Sequence, residues 1–118
     1  MSLKETILAA PDLKEKRREV PEWGVTILLK AMDGTARATL FNAMSGKEGA
    51  EAGFAALACI PSVIWRCLYD PETRKRIFTQ ADVEALAEKS PMVLQDLLSE
   101  SAEMSGLTVG ALKEAKTD

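Results

Sequence analysis

The chain has 118 residues, 47% of them hydrophobic and 28% charged, with 15 basic and 18 acidic side chains for a formal net charge of −3. That length supports one modest core and not two, and an ordinary apolar share excludes wholesale disorder. A mixed, slightly acidic charge argues against a nucleic-acid binder, which concentrates basic side chains on one surface; the complete absence of His removes the commonest general base and the commonest metal ligand together.

The apolar residues are weighted to Ala and Leu, with three Phe, two Trp and one Tyr, which favours helices over a β domain. Ser2, with Glu5 three residues on, opens a short helix through Leu8 that carries Leu3 and Ile7 on one face and ends at Pro11. "REVPEWGVTILL" (residues 18–29) is the one stretch that alternates like a strand. Pro21 lacks an N–H and Gly24 can take φ > 0, so "EKRREV" and "VTILLKAM" are expected to pair as a hairpin over about residues 14–31, joined at "PEWG". A lone hairpin is marginal in water and must lean on something. Val25, Ile27 and Leu29 give it an apolar face that fits against helices. Trp23, at the bend, either packs on the core or stands out as an anchor for a partner.

Asp33 suits the N-cap of a helix "GTARATLFNAM" with Leu40, Phe41 and Met44 turned inward. After the loop "SGKEG" the spacing predicts one long helix over about residues 50–69, its core positions Phe54, Leu57, Ile64, Trp65 and Leu68. Pro61 should kink that helix or split it. "DPETRKR" is a polar turn. "TQAD" (residues 79–82) is a capping box for a helix with Val83, Leu86 and Ala87 on one side, and Ser90 with Pro91 restarts the chain as a helix carrying Leu94, Leu97 and Leu98. That helix stops near Gly106, and Thr108 caps a last short one. The expected architecture is mainly α: one domain over 1–118, of five to six helices with a short β-hairpin near the N-terminus. Its helical core spans about 33–105 and a flexible C-terminal segment about 107–118.

The residues offer little chemistry. Gly46-Lys47 is not a phosphate loop, since Phe41 stands where that loop needs Gly and Glu48 follows the Lys. Asp70, Glu72, Asp82, Glu84 and Glu88 lack the alternating ligand positions and central Gly of a calcium loop and are read as caps and solvated acids. "RKR" (residues 74–76) reads as a wet surface. Cys59 and Cys67 would lie about 12 Å apart along one helix, beyond disulfide reach, and Cys59 has no His to activate it. "MSLKETILAA" is unlike a signal peptide, and no apolar run approaches the roughly 18 residues of a membrane span. A soluble intracellular protein is expected, without catalysis, cofactor, metal, nucleic acid or membrane contact.

The order of these features resembles the tail assembly chaperones of long-tailed bacteriophages. The resemblance rests on Val20, Pro21, Glu22, Trp23, Gly24 and Val25, then on Asp70, Ile77, Phe78, Thr79, Asp82, Val83 and Leu86 of "LYDPETRKRIFTQADVEAL", and it covers most of the chain. It implies a helical protein of the host bacterial cytoplasm, not part of the mature virion, that binds the tape measure protein before tail tube subunits polymerise round it. It also implies a longer, frameshifted form as a potential partner, beside weak self-association. The expected contact surface is Trp23, Ile27 and Leu29 of the hairpin with Leu107, Val109 and Leu112 of the terminal segment, apolar residues on elements too small to bury them all. The alternative reading is a small DNA-binding regulator or antitoxin, with a helix-turn-helix over residues 79–104.

Overall fold

The computed structural model, which describes residues 2–107, runs α1 (Leu3–Ala9), β1 (Glu15–Val20), β2 (Val25–Lys30), α2 (Gly34–Met44), α3 (Gly49–Ala58), α4 (Ile60–Ile64), β3 (Leu68–Tyr69), α5 (Val83–Leu86) and α6 (Pro91–Met104). It is mainly α with a small antiparallel sheet, as predicted. Side chains set several of the helix starts. Ser2 Oγ accepts the Glu5 N–H and Asp33 Oδ1 the Ala36 N–H, at 3.1 and 2.8 Å. Thr79 and Asp82 form a full capping box, and the Ser90 hydroxyl caps α6 behind Pro91. Each cap satisfies an amide that the helix itself leaves unpaired.

The long helix expected over residues 50–69 is broken. Pro61 falls in the first turn of α4, and the axis bends by 52° between Gly49–Ala58 and Ile60–Cys67. Past a 3-10 turn at Trp65–Cys67, Leu68 and Tyr69 leave the helix and become a third strand, with Leu28 opposite Tyr69 and Leu29 opposite Leu68. The reason is backbone accounting. β1 pairs one edge of β2 from Glu15↔Lys30 to Val20↔Val25; the other edge still needs partners, which a strand supplies and a helix does not. The sheet order is therefore β1-β2-β3.

Leu29, Leu40, Ile64, Leu68 and Leu97 are fully buried and join hairpin, α2, α4, β3 and α6 in one core. Three residues expected there are not. Phe41 is 41% exposed, Phe54 71% and Leu57 47%. In α2 the inward line is Ala36 and Leu40, one turn apart, and Phe41 sits about 100° round from Leu40. Apart from Glu51, α3 is built of Gly, Ala, Phe and Leu, so periodicity does not choose its inner face, and it buries Ala52 alone. α6 is tied to the end of β2 by hydroxyls: buried Ser101 donates to the Lys30 carbonyl at 2.8 Å, and Ser105 Oγ accepts the Met32 N–H at 2.8 Å. The short helix expected after Thr108 lies outside the described residues.

Candidate protein-binding groove

Pro21 opens a single 3-10 turn that ends at Trp23. Gly24 then takes φ 67° and returns its N–H to the Pro21 carbonyl at 3.1 Å. That left-handed residue is what lets the chain reverse here, and Gly takes it without steric cost. The turn leaves Trp23 half-buried beside the start of β2. A second turn faces it. Asp70 Oδ1 accepts from the Glu72 and Thr73 amides at 2.8 and 3.3 Å, the Asp70 N–H donates to the Lys75 carbonyl at 2.8 Å, and the Ile77 N–H donates to the Leu68 carbonyl at 3.1 Å. The Arg74 guanidinium holds the turn to Glu15 at 2.6 and 2.8 Å.

Between the two turns lies an open groove of about 470 Å³ lined by Trp23, Val25, Thr26, Ile27, Pro71, Ile77 and Phe78, with Asp70 and Glu72 on its rim. It continues past Trp23 and Phe78 into a smaller hollow of about 150 Å³ against Ala85, Leu86 and Lys89. Val25 is 51% and Ile77 42% exposed. A separate apolar depression of about 330 Å³ lies between α3, α4 and α6, lined by Leu57, Ile60, Pro61, Pro91 and Leu94 among others. Apolar walls with a thin charged rim suit the apolar face of another chain's helix and offer no polar cluster for turnover.

Of the residues expected to meet a partner, Trp23 lines the groove. Ile27 and Leu29 are 3% and 0% exposed, so both belong to the core; Ile27 merely floors the groove. They are buried because the helices cover the hairpin face on which they lie. Leu107 packs on the core, and its N–H donates to the Ala102 carbonyl at 2.8 Å. Val109 and Leu112 lie outside the described residues. The groove residues that surface reasoning did not select are Val25, Ile77 and Phe78. Ile77 and Phe78 sit beside a polar turn far from the hairpin in sequence, and their one signal was their place in the family-like pattern.

The remaining polar groups do structural work. Asp33 caps α2, takes Arg66 at 3.1–3.3 Å and Arg76 at 3.0 Å. Burial alone would push its carboxyl up, but the Arg66 hydrogen bonds, the Ala36 amide and the two guanidinium charges outweigh that and hold it below the ordinary carboxylate range. Arg66 and Arg76 also stack on Trp65, 5.0 and 5.5 Å from the ring centre. Lys16 and Arg18 both pair with Glu100. With these cations tied to acids, and with Gln95, Asp96 and Glu103 as polar exposed positions of α6, residues 79–104 present no basic face to a phosphate backbone. Among the described residues no cluster of His, Cys, Asp or Glu is placed to hold a metal, and no single helix is long and apolar enough to cross a membrane.

Both cysteines are free. Burial pushes the Cys67 thiol up to about 11, partly offset by the Ser101 hydroxyl, and half-burial raises Cys59 as well. Only the thiolate attacks disulfide reagents. In native protein at pH 8, Ellman's reagent is expected to titrate Cys59 first. Cys67 should follow only as fast as the molecule unfolds, on the order of 10³-fold more slowly. Equal native rates would contradict the burial of Cys67.

Fold and groove together define the class: a small, mainly helical domain with open apolar hollows on its surface. The chain is similar to the structure of the bacteriophage HK97 tail assembly chaperone, with a TM-score of 0.63 and 21% identity over 87% of this chain and 98% of that one. At that identity the likeness establishes a shared fold. No protein-family model matches the sequence, and no curated protein does.

Proposed function

We propose that this protein is a phage tail assembly chaperone that works by binding. Its client is the tape measure protein, held in the host bacterial cytoplasm during tail morphogenesis and released before the virion is complete. Tail tube subunits and a longer, frameshifted form of the same chain are the further partners of that role. The observation that carries the reading is the apolar groove at Trp23, Val25, Ile77 and Phe78, left open on a fold shared with a tail assembly chaperone. A long apolar helical client aggregates when bare. A small acidic domain can cover one stretch of it while staying soluble, and many copies on one rod act together through effective concentration.

The test is capture of the tape measure protein by purified chain. Trp23→Ala removes the largest groove side chain and is expected to weaken capture by about 30-fold or more, the usual cost of truncating a central interface Trp. Because Trp23 also rests on the core, Ile77→Ser is the companion variant: Ile77 is 42% exposed and lies outside the core cluster, so the melting temperature should fall little while capture falls. Wild-type protein that captures no tape measure protein refutes the function. Capture that survives both substitutions refutes the groove as its site.

A further inference from the structure

The apolar depression at Leu57 and the Trp23–Phe78 groove are separate in outline, yet one side chain links them. Lys89 lines the depression, and it also lines the small hollow into which the groove continues. Trp23 and Phe78 join that hollow to the groove in the same way. Three hollows therefore lie in series, from Val25 and Ile77 at one end to Leu57 and Pro61 at the other. We propose that they form one site, and that a single amphipathic helix of the client lies along it with an acidic side chain against Lys89. The inference rests on the reading of the groove as a client site and extends that site to α3.

The far end accounts for two large residues that the core leaves out. Phe54 is 71% and Leu57 47% exposed, and three positions apart in α3 they share a face. Leu57 walls the depression, and Phe54 carries the apolar strip about one turn beyond it. Apolar side chains grouped in water beside a hollow are what a partner's apolar stripe covers.

Two charges along the series set the chemistry of the occupant. Glu72 stands on the groove rim and Lys89 where the hollow meets the depression. Among the described residues neither has an ion-pair partner. Asp70, the other acid on the rim, accepts from the amides of its own turn. An occupant thus meets an unpaired acid near Ile77 and an unpaired base further along.

Size adds a length. Taken as spheres, volumes of about 470, 150 and 330 Å³ give a contour of roughly 25 Å, or about 16 residues of helix. The client helix that fits has an apolar stripe at three- and four-residue spacing. It carries an acid beyond its middle and a base about two turns away, toward the end that meets Ile77. The apolar strip supplies most of the affinity, and Lys89 fixes register and direction.

Capture of the tape measure protein by the full chain tests both ends. Phe54→Ser/Leu57→Ser is expected to weaken capture about tenfold, although neither residue touches the groove. Lys89→Glu should weaken it by about as much, while Lys89→Arg stays within about twofold of wild type. Lys89 is exposed, so both of its variants should keep the wild-type melting temperature. Photo-crosslinking locates the occupant: p-benzoylphenylalanine in place of Ile77, and separately of Phe54, should reach client residues about 16 apart in one segment. Full capture by Phe54→Ser/Leu57→Ser or by Lys89→Glu overturns the inference. So does a Phe54 crosslink to a distant client segment, to another copy of this chain, or to nothing. Those results leave the effect of Ile77→Ser, and with it the proposed function, intact; a wild-type chain that captures no tape measure protein refutes both.

Discussion

Leu29→Ala is expected to lower stability by about 3–5 kcal/mol, seen as a fall in urea midpoint with little change in slope. Leu29 has no exposed surface and sits on the central strand opposite Leu68, so elements on both sides hold it and the cavity left behind has little freedom to collapse. Against a total stability of about 5–15 kcal/mol for a domain of this kind, the loss is large enough to populate unfolded chain at 37 °C. Leu57→Ala, the same chemical change at a position 47% exposed, is expected to cost under about 1 kcal/mol. The contrast matters because sequence spacing assigns Leu57 to the core. Equal losses at the two sites would show that α3 buries the wrong face here.

Asp33 should give the largest polar effect. Its carboxylate caps α2 and binds two arginines, one from the turn after α4 and one from the segment after β3. Asp33→Ala removes the cap, worth about 1 kcal/mol, and leaves Arg66 and Arg76 without their acid, for a total of about 2–3 kcal/mol. Asp33→Asn keeps an oxygen for the Ala36 amide and forfeits only the charge, so about 1 kcal/mol is expected. Acid titration of stability separates the two terms. The Asp33 carboxyl is held below its ordinary value of 3.8, so its charge contributes fully above the unfolded-state value and is lost as pH falls through the lower, folded one. The gap between wild type and Asp33→Asn should therefore be constant from about pH 5 to 8 and close below about pH 4. A gap that widened in acid would rule out a depressed carboxylate.

Local signals were legible where local chemistry decides the outcome. Ser2, Asp33, Thr79 with Asp82, and Ser90 with Pro91 each mark a helix start because a side chain satisfies a backbone amide within three residues. Pro21 and Gly24 mark the reversal between β1 and β2 for a similar reason. What failed depended on distant partners. Leu68 and Tyr69 continue the apolar spacing of the helix before them, and only the unpaired edge of β2 turns them into a strand. Phe54 and Leu57 share their spacing with core residues, yet in a helix whose one charged residue is Glu51 the neighbours choose which face is covered. The groove was half legible. Trp23 stood out at its bend, but its opposite wall comes from Ile77 and Phe78, brought there by the Asp70 turn. Ile27 and Leu29 looked available only while the hairpin was considered without the helices over it.

The order of the strands has a consequence for synthesis. β2 meets β1 across one short bend but meets β3 roughly 40 residues later, and closing that longer loop carries a larger entropy cost. At ribosomal speeds the interval between the emergence of β2 and of β3 is about 2–8 s. During it the nascent hairpin carries Ile27, Leu28 and Leu29 beside an open backbone edge, with neither the third strand nor α6 yet made. A chain proposed to shield another's greasy surface thus passes through several seconds in which its own central strand lacks cover.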